Sequence, residues 1–330
     1  MKNTKYSLLS LVINSIAARV APKHIEPARL PKTLGEYTLM KQLSTDNSGK
    51  TAKGMYKNSN GKYMFVKLLV ANRFDYAYGT LNNELTLLSV IQEVMNRNRN
   101  NLPKKYANIQ VAKVAFSEIL PNSITLGVEW ISGSTISKLS SKKQIAAYSL
   151  LSEYLDYLYG QMTQDEKARI AHRGIMSYIL LYPIIFTRAS QLHPQYRALL
   201  KRAAFTFIKL ISSFIVHPPK LTLVHRDLHP ENIMISKNKI HLIDLEFSVI
   251  TFKELDYSVT LRHGWGRAHT VNKHFTKYLR RITSNNLRTN LLRIGIIYHG
   301  TMGLAGSNFD AKRKQAFAHY IQFGTHTNTI

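Results

Sequence analysis

The chain has no cysteine and few acids: nineteen Asp and Glu stand against forty-five Lys and Arg. The first lack excludes disulfides and thiolate metal sites and leaves the compartment open. The second gives a formal charge of +26. Such a chain is attracted to polyanions, or simply carries a solvated basic surface. Proline is absent after Pro230. No internal repeat and no low-complexity tract occurs. The apolar run at 178–186, "YILLYPIIF", is nine residues long and holds Pro183, so it reads as core rather than as a span. What remains is a globular composition, 45% hydrophobic and 19% charged over 330 residues. That suffices for two lobes and is not a disordered composition.

Residues 1–35 separate from the rest. Leu8, Leu9, Val12, Ile13, Ile16 and Val20 recur at helical spacing, which predicts an amphipathic helix that packs on its own domain or lies on a membrane. Asn14 and Ser15 break the apolar run that a signal peptide needs. Three prolines within 22–35 mark a linker. From 36 to about 131 the pattern is strand-like, at Tyr37–Leu43, Thr51–Tyr56, Tyr63–Val70, Ile109–Phe116 and Ile124–Trp130, with one helical run, Thr80–Val94. From 132 to 330 the periodicity is mainly helical, broken by the paired runs "NIMIS" and "KIHLID" around the turn "KNK". The expected fold is α+β and bilobal: a small N-terminal antiparallel sheet lobe with one helix, then a larger, mainly helical C-terminal lobe.

The chemistry concentrates at 223–248, "LVHRDLHPENIMISKNKIHLIDLEFS". Asp227 and Asn232 share a polar loop that Pro230 keeps out of a helix. The hairpin that follows should return Asp244 to the side of Asn232. Two oxygen donors side by side suit Mg²⁺, and Asp227 is free to take a proton from a hydroxyl. A plain polar turn would account for Asp, Asn and Pro, but not for a His, two Asp and an Asn at these offsets.

"HRDLHPEN" followed by "IDLE" resembles the protein-kinase-like fold, in its aminoglycoside and choline phosphotransferase branch of small-molecule kinases. The D-x-E ending and the His-Pro are that branch's habit, whereas Arg226 is the residue seen in protein kinases. An A-P-E motif, which protein kinases carry after the metal-binding Asp, cannot follow, because the last proline is Pro230. The resemblance implies an ATP-dependent phosphotransferase that moves the γ-phosphoryl group to an alcohol. In it Asp227 is the base, Asn232 and Asp244 hold Mg²⁺, and Glu246 supports the metal shell or contacts substrate. It also implies a lysine on the nucleotide phosphates. Lys67, in the apolar strand "KYMFVKLL", fits that part, and Glu84, seventeen residues on, would pair with it. The alternative for Lys67 is snorkelling at a strand edge.

"STDNSGKT" is not a P-loop: Ser44 stands where the first glycine belongs, and a strand follows instead of a helix. It reads as a hairpin lid whose Ser48 and Gly49 approach the phosphates, or as a plain surface hairpin. "LGVEWISG" resembles the hinge between lobes, with adenine on the backbone of Glu129 to Ile131, and Trp130 as core or adenine-facing.

Residues 251–330 carry twelve Lys and Arg against three acids, which argues against a polycationic acceptor. A phosphorylated, carboxylated or lipid-linked sugar suits that charge, and the family's lipopolysaccharide-type sugar kinases act at membranes. Asp256 is an acid available to an acceptor or to its own loop. His263, His269 and His274 share no helical face and read as ordinary residues. The expected partners are ATP, Mg²⁺ and a small-molecule or lipid-linked hydroxyl acceptor; an anionic membrane surface is a further candidate, and nucleic acid a weaker one. The expected location is the cytoplasm, including the inner face of the membrane. The rival readings are an atypical protein kinase and a non-catalytic, kinase-like protein that binds anions or nucleic acid.

Overall fold

The computed structural model describes residues 28–45, 49–71, 75–216, 218–259, 286–306 and 310–325. The expected N-terminal helix, Ser48, His263, His269 and His274 lie outside the described residues. Two compact units form. The first takes the chain up to Thr135 and adds Gln161–Ala171 and Asn232–Ser248; the second takes Ile136–Gly160, His172–Glu231 and the chain from Val249 onward. The sequence division at 131/132 had placed 161–171 and 232–248 with the helical lobe. Hydrogen bonds and strand pairing join both segments to the first unit.

The first unit is built on a six-stranded antiparallel sheet. Its strands are β1 (Thr33–Leu34), β2 (Tyr37–Thr45), β3 (Thr51–Asn58), β4 (Tyr63–Val70), β6 (Val114–Leu120) and β7 (Ser123–Glu129), in the order β1-β2-β3-β4-β7-β6. β5 (Ile109–Val111) belongs elsewhere. The single strand expected at 109–116 is therefore two: β5 joins a second sheet by parallel pairing, while β6 pairs with β7. Apolar alternation continues through the break, so periodicity does not register the change of partner.

β4 lies between β3 and β7 and is covered on both faces, hence its near-continuous apolar run. Met64 and Val66 pack with Leu34 and Tyr56 on one face; Phe65 and Lys67 take the other by the two-residue period. α1 (Tyr76–Arg97) is capped by Asp75, whose carboxylate accepts the Ala77 N–H at 2.9 Å. Leu81, Leu85, Leu88 and Ile91 form its buried stripe. Glu84 falls on that same stripe and is carried inward with it.

The second sheet runs β5-β10-β9-β8, from β8 (Ser134–Thr135), β9 (Ile233–Ser236) and β10 (Lys239–Leu242). Lys237 and Asn238 form the two-residue turn, both at positive φ (48° and 62°), the geometry that matches hairpin twist. Gly133 enters β8 with no side chain because a Cβ there would meet the Ile235 carbonyl oxygen at 2.3 Å.

The second unit is helical: α2 (Ser141–Gln161), α3 (Ile175–Leu192), α4 (Arg197–Val216), α5 (Asn286–Ala305) and α6 (Ala311–Thr325). A two-stranded ribbon, Thr222–Val224 with Val249–Thr251, accompanies them. α5 is buried on every side from Leu291 to Thr301, as a central helix must be. Tyr178, Tyr182, Phe207, Phe252, Ile297 and Tyr298 centre its core. The run at 178–186 is core on one side only. It lies within α3, where Leu180 and Ile184 are exposed while Tyr178 and Tyr182 are buried, because a helix turns every second or third residue outward. Among the described residues no helix is long and apolar enough to cross a membrane.

Gln161–Ala171 is tied to α1 by charge. Arg97 donates twice to the Glu166 carboxylate, at 2.7 and 2.9 Å, and Glu166 closes a capping box with Thr163. Arg97, with the Thr163 N–H behind it, holds the Glu166 carboxyl down to about 2 against the opposing effect of burial. A depressed folded-state value means stability that is present above the ordinary glutamate value of 4.5 and lost as pH falls through about 2. Glu166→Gln is expected to lower stability at pH 7 by about 1 kcal/mol, since Arg97 is half in solvent. Thermal melts from pH 7 down to 2 check this: the gap between variant and wild type should close as the pH drops.

Candidate active site

Lys67 organises the first unit's polar centre. It sits in mid-β4, 6% exposed, where an unpaired ammonium would cost several kcal/mol. Its Nζ donates to Glu84 Oε2 at 2.8 Å and to Asp244 Oδ1 at 2.6 Å, with Glu246 Oε2 at 3.8 Å. Burial alone would lower the Lys67 pKa; Glu84, Asp244 and Glu246 more than offset it and raise it. Glu84 is held from its other oxygen by the Leu245 N–H at 3.1 Å. Asp244 is reached by a left-handed backbone, φ 61°, a conformation that costs a non-glycine residue about 1–3 kcal/mol.

Three carboxylates around one ammonium leave excess negative charge. Glu246 responds first to its burial and then to these neighbours. Burial, with Asp244 and Glu84 adding to it, pushes its carboxyl up to about 7, although Lys67 pulls the other way. Glu84, Asp244 and Glu246 each present an oxygen within 4.8 Å of the others. Glu84 is taken by Lys67 and the Leu245 N–H, which leaves Asp244 and Glu246 as the hard oxygen donors that fit a Mg²⁺ ion. Asn232 is buried, and its carbonyl accepts the Ile243 N–H at 3.1 Å. Since Ile233 faces Leu242 across the hairpin, Asn232 stands opposite Ile243, one residue from Asp244.

A cavity of about 260 Å³ opens on this cluster. Lys67, Glu84 and Asp244 line it together with apolar walls that include Phe65, Leu88, Ala112, Leu126, Val128 and Leu242. Glu129, Trp130 and Ile131 also line it. Lys67 faces Leu126 in the sheet register, so the chain travels four residues of β7, about 13 Å, from the charged cluster to Trp130. The Glu129 and Trp130 N–H groups bind the Lys113 and Tyr63 carbonyls at 2.9 and 3.0 Å. Trp130 is 39% exposed, which places it at the cavity's rim rather than in a core. Gly49 sits at a bend with φ 71°, its carbonyl accepting the Ala28 N–H at 2.7 Å, and it is not among the lining residues.

Asp227 belongs to the second unit. Its loop leaves the ribbon at Val224 and is anchored by Asp256. That buried carboxylate accepts both the His225 N–H, at 2.9 Å, and the Arg226 N–H. Asp256 is thus a clamp on its own loop. Arg226 takes a left-handed conformation, φ 62°, which turns the chain sharply before Asp227. The His229 ring lies between two carboxylates, with Nε2 at 3.4 Å from Asp227 and Nδ1 at 2.8 Å from Glu231. Burial works against protonation of His229, but Asp227 and Glu231 prevail and raise its pKa. Sequence reading passed over this His229 bridge, although residues two apart on each side of a loop histidine were a usable signal. It also passed over Lys53, a lining residue on the half-buried face of β3.

Comparison with known proteins gives concordant results. The model of the phosphotransferase enzyme family (APH) matches residues 183–280. No curated protein matches the chain in sequence. Among solved structures, a thermostable mutant of aminoglycoside phosphotransferase APH(4)-Ia in ternary complex with ADP and hygromycin B is similar at 12% identity and TM-score 0.60, over 88% of this chain and 94% of that one. The amicoumacin kinase hAmiN, in complex with AMP-PNP, Ca²⁺ and Ami, is similar at 13% identity and TM-score 0.55, over 96% and 95%. Spectinomycin phosphotransferase APH(9)-Ia, with ADP and spectinomycin, is similar at 14% identity and TM-score 0.53, over 86% and 88%. The fold is that of the aminoglycoside phosphotransferase-like kinases. In this kinase-like fold the sheet, α1 and the β9–β10 hairpin are the parts that deliver Lys67, Glu84 and Asp244 to one point.

Removing the ammonium should expose the charge excess. Lys67→Met is expected to cost about 3 kcal/mol at pH 7, because three carboxylates then face one another in a partly dry site. Burial already pushes the Glu246 carboxyl up to about 7 and Lys67 is what pulls it down, so without the cation the loss should shrink as the pH falls and Glu246 protonates. Urea denaturation of wild type and variant at pH 7 and pH 5 measures it.

Proposed function

We propose that the chain is an ATP-dependent phosphotransferase that moves the γ-phosphoryl group to the hydroxyl of a small molecule. The observation that carries this reading is the buried Lys67–Glu84–Asp244 cluster at the charged part of an apolar cavity. The apolar walls suit a purine, with the backbone of Glu129 and Ile131 for its polar edge. Lys67 takes the nearer phosphates, held in place by Glu84. Asn232 and Asp244 would hold Mg²⁺ with Glu246 behind them; bound there, the ion neutralises charge on the phosphate oxygens. Asp227 accepts the proton of the acceptor hydroxyl as that oxygen bonds to the γ-phosphorus and the bond to the β-phosphate oxygen breaks, releasing ADP. The His229 bridge orients the Asp227 carboxylate for this transfer.

The second unit's charges narrow the acceptor. All three acids of 251–330 are engaged: Glu254 with Arg288 at 2.9 Å, Asp256 with the Asp227 loop, and Asp310 with the Arg313 N–H at 2.7 Å. None of these three is left over to recognise a polycation, which favours an acceptor bearing a phosphate or carboxylate, such as a substituted or lipid-linked sugar.

Asp227→Asn is expected to lower turnover about 10²–10⁴-fold while Mg·ATP affinity stays within a few-fold. The assay is ATP consumption over a panel of neutral, anionic and cationic hydroxyl compounds, with nucleotide affinity read by calorimetry. Turnover with no member of the panel, or an Asp227→Asn variant as active as wild type, would remove the assignment. Asp244→Ala in the same titration should weaken ATP binding strongly in the presence of Mg²⁺ and little in its absence.

A further inference from the structure

Lys53 is a second cation on the cavity wall, beside Lys67. Its orientation is forced. In β3 the alternate residues Ala52, Gly54 and Tyr56 are buried on the opposite face, and Gly54 lies so close beneath Leu30 and Leu39 that a Cβ would meet their side chains at 2.4 and 3.1 Å. The two-residue period then leaves Lys53 on the cavity side, where it lines the wall half-buried.

The register sets Lys53 directly across from Lys67. Side chains so placed have Cβ atoms about 5 Å apart, and like charges there destabilise the pair. Lys67 is compensated three times over. Among the described residues Lys53 has neither a hydrogen-bond partner nor an ion-pair partner, and its charge draws on Glu246 without a direct contact. An ammonium that makes no hydrogen bond or ion pair and faces another ammonium across the strand pair is a poor arrangement for the empty protein. It becomes favourable when a polyanion enters between the two.

We propose that Lys53 is a phosphate-binding residue that grips, together with Lys67, the polyphosphate chain of the nucleotide, so that preference for a triphosphate over shorter phosphates resides largely on it. Lys67 is tied down by Glu84 and Asp244 and has little freedom to follow a phosphate. Lys53 is untethered and carries a flexible stem, so it can close on the phosphates that Lys67 does not reach. This inference rests on the nucleotide reading of the cavity and deepens it.

The test compares Lys53→Met, Lys53→Arg and wild type in calorimetric titrations with Mg·ATP, Mg·ADP and adenosine, using the full chain. Methionine keeps the apolar stem and removes the like-charge contact, so thermal stability should hold or rise. The expected result for Lys53→Met is a loss of about tenfold or more for ATP, a smaller loss for ADP, no change for adenosine, and substantial recovery in Lys53→Arg. If wild type binds ATP and Lys53→Met binds it equally well, Lys53 merely snorkels and the inference is overturned while the cavity's nucleotide reading stands. A uniform loss across ATP, ADP and adenosine also overturns it, since that marks a packing role. If wild type binds none of the three, the nucleotide reading fails and the inference falls with it.

Discussion

A buried ammonium in the middle of a sheet is the constraint from which the first unit's site follows. Lys67 has no water to solvate it, so carboxylates must come to it from elsewhere in the chain. One comes from α1, seventeen residues on, and one from beyond the β10 strand, 177 residues on. Each is delivered by an ordinary folding force: Glu84 by the apolar stripe of α1, and Asp244 by the return of a two-residue hairpin. The charge contacts therefore do not drive the fold so much as select among its packings. Any arrangement that separates α1 from the hairpin leaves Lys67 buried and bare, which is several kcal/mol worse.

The same cluster is overcompensated, and that surplus connects structure to chemistry. A purely structural ion pair would need one carboxylate, or two at most. Here three crowd one cation, and the last of them holds its proton up to about neutral pH. Backbone strain is found at the same group, with Asp244 in the left-handed region, and at Arg226, just before Asp227. Strain and surplus charge persist where packing over-determines them and where a ligand makes use of them. A metal-bound polyphosphate would match both needs, its phosphates toward the lysines and its metal toward the acids.

Much of this was legible in the sequence, for reasons that differ by residue. Lys67 stood out because a charge inside an apolar strand demands a partner. Glu84 followed because the one helix of that lobe offers it seventeen residues on, in the order and spacing of the kinase-like fold. Asp227, Asn232 and Asp244 were marked by spacing around a recognisable hairpin. The break between β5 and β6 was not legible, since both strands are apolar on alternate positions and only their partners differ. The one-sided exposure of α3 was hidden by an apolar run that has no polar face to betray it. Lys53 was hidden for the opposite reason: basic residues are so common in this chain that one more, at an inward position, carried no contrast. The Gln161–Ala171 segment joins the first unit through Arg97 and Glu166 and other long-range contacts, and a local pattern says nothing of such contacts.

The central claim is that one point in the first unit holds both a divalent metal and a triphosphate. Crystals grown with Mn²⁺ and a non-hydrolysable ATP analogue test it most directly, because anomalous scattering locates the ion independently of the nucleotide. The account predicts an anomalous peak about 2.2 Å from the Asp244 carboxylate, with Asn232 beside it and the phosphates within hydrogen-bond reach of Lys67. Nucleotide bound outside the cavity, or an ion held away from Asp244 while Lys67 keeps all its carboxylates and touches no phosphate, would contradict it.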